Sequence, residues 1–214
     1  MRFSPTQWVL VFTPPLLLGS CWLVFSLAGA ALGPRAGYFA GFLFYWIVWC
    51  LLLPALLLGG RLRAGFRPVG RPLGAKPWLA LVLLLWPLAL GFGYAFPQAL
   101  PKAGWLVVAA SLALALVNAV LEELLWRATY LAVFPGSAFW GWLYPSLGFA
   151  VWHYAPQAVF PSAAPGGATA LVIVAGLVGL GWGYVARATG TSRWTAASHA
   201  LFDFSGLGAR IYFP

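Results

Sequence analysis

Seven apolar runs succeed one another along the chain, at about residues 8–32, 38–58, 78–96, 104–132, 140–160, 168–188 and 194–213, and the fourth is interrupted by acids. Most match the ~20 residues that an α-helix needs to cross a bilayer. The pattern predicts an all-α fold: a polytopic membrane bundle of about seven transmembrane helices. Turn chemistry marks the breaks, at Gly33-Pro34-Arg35, Gly59-Gly60, Pro97 to Pro101, Pro135-Gly136-Ser137, Pro161 to Gly167 and Gly190-Thr191-Ser192. The first run follows Arg2, as a secretory signal would, but it continues past Pro14-Pro15 beyond the ~7–15 residues of a signal core and reads as a retained span. Prolines at 14, 15, 54, 87, 145 and 156 lie within or beside the spans and predict kinked helices and internal cavities. The spacing Gly176, Gly179, Gly183, with Gly181 between, suits close helix contact in lipid.

Composition excludes a soluble globular protein. Of 214 residues, 63% are hydrophobic and 7% charged, against roughly 45–50% and 25% in soluble domains. Residues 1–214 therefore read as one integral membrane domain. The net charge of +9, from 12 Lys and Arg against 3 acids, would suggest nucleic acid in a soluble protein. Here it reads as a topology signal, and no nucleic-acid partner is expected. With seven spans, Arg2, Arg61, Arg63, Arg67, Arg71, Lys76, Arg187 and Arg193 fall on one side and Arg35, Lys102 and Arg210 on the other. The excess predicts a cytoplasmic N-terminus. The basic loop 59–77 has two readings, a solvated topology signal or a surface for anionic lipid headgroups. Cys21 and Cys50 lack metal-type spacing and read as free, buried thiols. Trp8, Trp46, Trp49, Trp78, Trp105, Trp140, Trp142 and Trp194 lie near span ends, as interfacial anchors do.

The polar residues change the picture. All three acids, Glu122, Glu123 and Asp203, and both histidines, His153 and His199, fall inside the apolar runs. A charge at mid-bilayer costs about 2.5–3.5 kcal/mol on insertion scales, so these groups need partners or a wet cavity. Glu123 and Arg127 are four apart in the favourable order for an ion pair. Glu122 lies about 100° round the helix and shares its face with Asn118. His199 and Asp203, and Phe149 and His153, are each four apart on one face. Singly, each has a structural reading: an ion pair, a core histidine bonded to a carbonyl, an orienting pair. Together, five ionisable residues on three spans point to one shared site.

Acid, imidazole and water suggest hydrolysis. One aspartate cannot form an aspartyl dyad, and neither an H-E-x-x-H zinc motif nor a G-x-S-x-G elbow is present. A glutamate acting as general base on water, assisted by histidine, remains. A zinc site built from two histidines and carboxylates is the alternative, and a proton relay in a transporter is a third reading.

Glu122-Glu123-Leu124-Leu125-Trp126-Arg127 matches E-E-x-x-x-R, Phe149 to His153 matches F-x-x-x-H, and His199 to Asp203 matches H-x-x-x-N/D. In this order and spacing the chain resembles the CPBP family, the CAAX proteases and bacteriocin-processing enzymes known as glutamic-type intramembrane proteases. The resemblance covers residues 104–213; the first three spans carry no matching motif. It implies an all-helical fold with a catalytic cavity opening toward cytoplasm and lipid, and a metal-independent enzyme without cofactor. By that analogy Glu122 is the general base and His153 shares the water or its proton. His199 and residue 203 would steady the carbonyl oxygen as it gains charge. Glu123 and Arg127 would set helix geometry and the electrostatics of Glu122. Position 203 is Asn in many members; an ionised Asp cannot donate a hydrogen bond to an oxyanion, so Asp203 is expected to orient His199 by accepting its proton.

The implied partner is a membrane-anchored or lipidated peptide or protein in the bilayer. The Ala, Gly, Leu and Arg bias reads as that of a GC-rich bacterium, hence an inner-membrane location, with myxosortase-like removal of C-terminal anchors as one possibility. A non-catalytic immunity or scaffold protein of the same fold is the reading from another class.

Overall fold

A computed structural model describes residues 3–67, 72–163 and 165–213. Arg2 and Arg71, counted in the orientation argument, lie outside the described residues. Seven helical segments appear in the expected order. They are α1 (Pro5–Leu32), α2 (Pro34–Phe66), α3 (Pro77–Lys102), α4 (Trp105–Val133), α5 (residues 139–152), α6 (Gly167–Thr189) and α7 (Arg193–Ser205). The first four and α6 are long and apolar enough to cross a membrane. Among the described residues there are no strands, and the chain is an all-α, multi-pass membrane bundle.

Two segments are shorter than the hydropathy pattern predicted. The expected 140–160 span stops at Trp152 and continues as a 3-10 turn at Ala155–Ala158; the expected 194–213 span stops at Ser205. Thirteen residues at 1.5 Å per residue reach about 20 Å, less than the ~30 Å hydrocarbon core. Pro156 interrupts the first run, and Leu207, with φ 47°, turns the second. Irregular backbone at that depth is tolerated where it is packed in protein or lines a cavity. Both short segments end beside the cavity described below.

The kinks come from identifiable residues. Three π-helical segments, Tyr45–Leu52, Gly91–Ala95 and Phe139–Leu143, lie just before Pro54, Pro97 and Pro145. Proline donates no N–H and crowds the carbonyl four residues back, so the preceding turn widens. The fourth, Leu124–Thr129, has no proline: Thr129 Oγ1 donates to the Leu124 carbonyl at 2.7 Å and opens the ladder with a side chain. This widened turn follows directly on Glu122 and Glu123.

The glycine stripe on α6 packs against α5 as expected. A Cβ at Gly179 would lie 2.9 Å from Phe149, and one at Gly183 would lie 2.6 Å from Trp142. Gly181 faces the other way, toward Leu83 on α3. Cys21 and Cys50 are buried free thiols. Trp8, Trp78 and Trp105 are exposed, as anchors would be, but Trp46 is buried in the interior; its apolar body suits the core and its N–H finds a polar partner there.

Candidate functional site

The polar residues predicted from sequence meet at one cavity of about 370 Å³. Asn118 and Glu122 of α4, Phe149 and His153 at the end of α5, and His199 and Asp203 of α7 all line it. Aliphatic side chains including Leu114, Leu171, Val174 and Val178 form the rest of the wall, with Tyr38, Phe42 and Tyr212. Glu123 and Arg127 do not line it; they lie behind.

Glu122 is fully buried, receives three hydrogen bonds and lies beside one imidazole. Tyr45 Oη at 2.8 Å and Trp152 Nε1 at 3.1 Å donate to Oε1; Asn118 Nδ2 and His199 Nε2, both at 3.3 Å, face Oε2. A carboxylate accepts at about four lone-pair positions, so three bonds replace most of the water that burial removed and leave one position on Oε2.

Glu123 does more than pair with Arg127. The pair forms at 3.0 Å, as its spacing predicted. The same Oε1 faces His199 Nδ1 at 3.2 Å, and Thr195 Oγ1 donates to Oε2. Arg127 stacks over the Phe149 ring, with its guanidinium carbon 4.3 Å from the centroid. Both nitrogens of His199 thus face carboxylates, which accept and do not donate, so an imidazolium satisfies the arrangement. Asp203 faces Nε2 across 3.5 Å. The carboxylate that orients the ring from Nδ1 is therefore Glu123. The helical register of α7 puts Asp203 on the other side of the imidazole.

Asp203 has a closer partner than His199 in Asn118. Asn118 Nδ2 donates to its Oδ2 at 2.8 Å, and Trp46 Nε1 donates to Asn118 Oδ1 at 2.8 Å, which fixes the amide. Asp203 is 29% exposed, the most open of the acids. His153 Nδ1 lies 2.7 Å from the Phe149 carbonyl. The carbonyl only accepts, so Nδ1 carries the hydrogen, and in the neutral ring Nε2 presents a lone pair.

Tyr45, Trp46, Trp126 and Trp152 belong to the site and carried no signal in the sequence. Trp126 Nε1 donates to Tyr45 Oη at 2.8 Å, and the Tyr45 and Trp152 rings stack at 3.6 Å and 17°. Among the described residues, no group of three or more His, Cys, Asp and Glu side chains is placed to hold a metal ion.

The fold and site define a multi-pass membrane protein with an intramembrane carboxylate–imidazole centre. Residues 104–205 match the family model for Rce1-like proteins, described as type II CAAX prenyl endopeptidase Rce1-like. This region contains all three motifs, and through it the chain is similar to that family of CAAX-type endopeptidases, within the CPBP group. No curated protein and no solved structure matches the chain.

Proposed function

We propose that this protein is a glutamic-type endopeptidase that cleaves near the C-terminus of membrane-anchored or lipidated substrates. The reading is carried by the convergence of Glu122, His153 and His199 at the polar end of one apolar-walled cavity. A water held between Glu122 and the His153 Nε2 lone pair attacks the scissile carbonyl carbon and gives its proton to Glu122. The C–N bond of the tetrahedral intermediate then breaks as that proton passes to the leaving nitrogen, releasing a carboxyl and an amine. The N–H groups for the oxyanion are His199 Nε2–H and the Asn118 amide hydrogen that is released from its long bond to Glu122 as that carboxylate takes the proton. Asp203, an acceptor already bonded to Asn118, holds that amide in place.

Orientation follows the positive-inside rule. Gly65 O accepts from Ser192 N at 2.8 Å, so the basic C-terminal end of α2 and the turn before α7 share one end of the bundle. Arg61, Arg63, Arg67, Lys76, Arg187 and Arg193 gather there, against Arg35, Lys102 and Arg210 opposite. We place the basic end, and with it the N-terminus, on the cytoplasmic side of a bacterial inner membrane.

The test is cleavage in proteoliposomes of a farnesylated C-terminal peptide and of an unlipidated peptide with a C-terminal membrane anchor. Wild type is compared with Glu122→Gln and His153→Ala, each with and without chelator. Loss in both variants with no effect of chelator supports the reading; chelator sensitivity points to a metal. No cleavage by folded wild type of either peptide favours the non-catalytic reading.

A further inference from the structure

Tyr45 lies on α2, outside residues 104–205, yet its hydroxyl is the shortest contact that Glu122 makes. The side chain is fully buried, so no bulk water competes for the bond. Two things fix the hydroxyl: the Trp126 N–H donates to it, and the ring is stacked on Trp152, whose own N–H donates to the same Glu122 oxygen. Oε1 is thereby held by two neutral donors on a rigid aromatic pair. Oε2 has only the longer 3.3 Å contacts from Asn118 and His199. The two oxygens are therefore inequivalent before any substrate enters.

We infer that Tyr45 is the positioning residue for Glu122: its hydroxyl ties down Oε1 so that Oε2 is the oxygen that takes the proton from water. The inference rests on Glu122 being the base. Tyr45 touches neither water nor substrate in this scheme and acts through the carboxylate. A carboxylate freed to rotate presents its lone pair in the wrong direction for much of the time, and misplacement by about 1 Å costs roughly 100-fold in rate.

The experiment uses the full chain in proteoliposomes with the farnesylated peptide. Tyr45→Phe keeps the stacked ring and removes the hydroxyl alone. The expected result is a kcat lower by about 10- to 100-fold with KM within about twofold of wild type. Tyr144→Phe removes another tyrosine hydroxyl, one that donates to the Val11 carbonyl, and is expected to leave both constants unchanged. Independently of turnover, the infrared carboxylate band that disappears in Glu122→Gln should shift in Tyr45→Phe. Trp126→Phe, which removes the donor to the Tyr45 hydroxyl, should shift it the same way by less. A Tyr45→Phe kcat within twofold of wild type, or an unmoved band, overturns the inference. Full activity in Glu122→Gln overturns the base assignment itself, and with it this role. A dead Glu122→Gln beside a fully active Tyr45→Phe defeats the positioning role alone.

Discussion

Glu122 and Glu123, neighbours in the chain, sit on opposite nitrogens of one imidazole, that of His199, at 3.3 and 3.2 Å. Side chains one residue apart diverge by about 100° around a helix, and a histidine inserted from α7 fills the angle between them. The two acids then have separate surroundings. Glu122 faces the cavity, and Glu123 faces Arg127 and Thr195.

This division predicts different failures for the two glutamates. Glu122→Gln should fold with a thermal transition within a few degrees of wild type and lose cleavage. Arg127→Leu should destabilise the fold by about 3–5 kcal/mol, because it leaves Glu123 buried without its cation. Replacing both partners, Glu123→Leu with Arg127→Leu, should recover much of that stability but not the activity, since His199 loses its Nδ1 partner. Thermal unfolding in detergent beside turnover measures both quantities.

Position 203 and Asn118 should be coupled. If the Asn118 amide supplies an oxyanion donor, Asn118→Ala should lower kcat by about 100- to 1,000-fold. Asp203→Asn introduces an amide in the same neighbourhood and should restore part of that loss in the double variant. Additive losses in the cycle would remove Asn118 from the oxyanion role.

The histidine at the end of α5 is expected to make a chemical rather than a structural contribution. His153→Ala removes one side-chain bond, to the Phe149 carbonyl, and should change the melting temperature little. Its kcat should fall by about 100- to 10,000-fold, the usual range for a group that shares proton transfer. A variant that melts early but turns over normally would return His153 to a core role.

The helix contacts give a test that is independent of catalysis. Gly179→Ala would set a Cβ 2.9 Å from Phe149 and 3.5 Å from Arg127 Nη2, so overpacking should cost about 1–3 kcal/mol. Gly19→Ala on α1 meets open space and should be neutral or slightly stabilising. Equal melting temperatures for the two would show that α5 and α6 do not pack as described.

Farther up the scale of organisation, the hydropathy pattern alone placed all seven helical segments in order, because insertion into a bilayer is a property of ~20 consecutive residues. The i,i+4 spacings likewise held, since a helix makes local geometry certain: Glu123 with Arg127, Asn118 with Glu122, Phe149 with His153. So did the gathering of Glu122, His153, His199 and Asp203 around one cavity, which followed from the cost of leaving any of them in lipid.

Tertiary structure alone decided which partner each group took. That Glu123 rather than Asp203 holds His199 Nδ1 depends on the register of α7 against α4, over 76 residues of chain. Tyr45 and Trp46 were invisible among 8 tyrosines and 13 tryptophans, because an aromatic side chain satisfies lipid, core and hydrogen-bonding roles alike. The early ends of α5 and α7 depended on where packing left room for a cavity. Patterns of burial are written locally in a membrane chain; the pairing of buried polar atoms is settled only when distant helices meet.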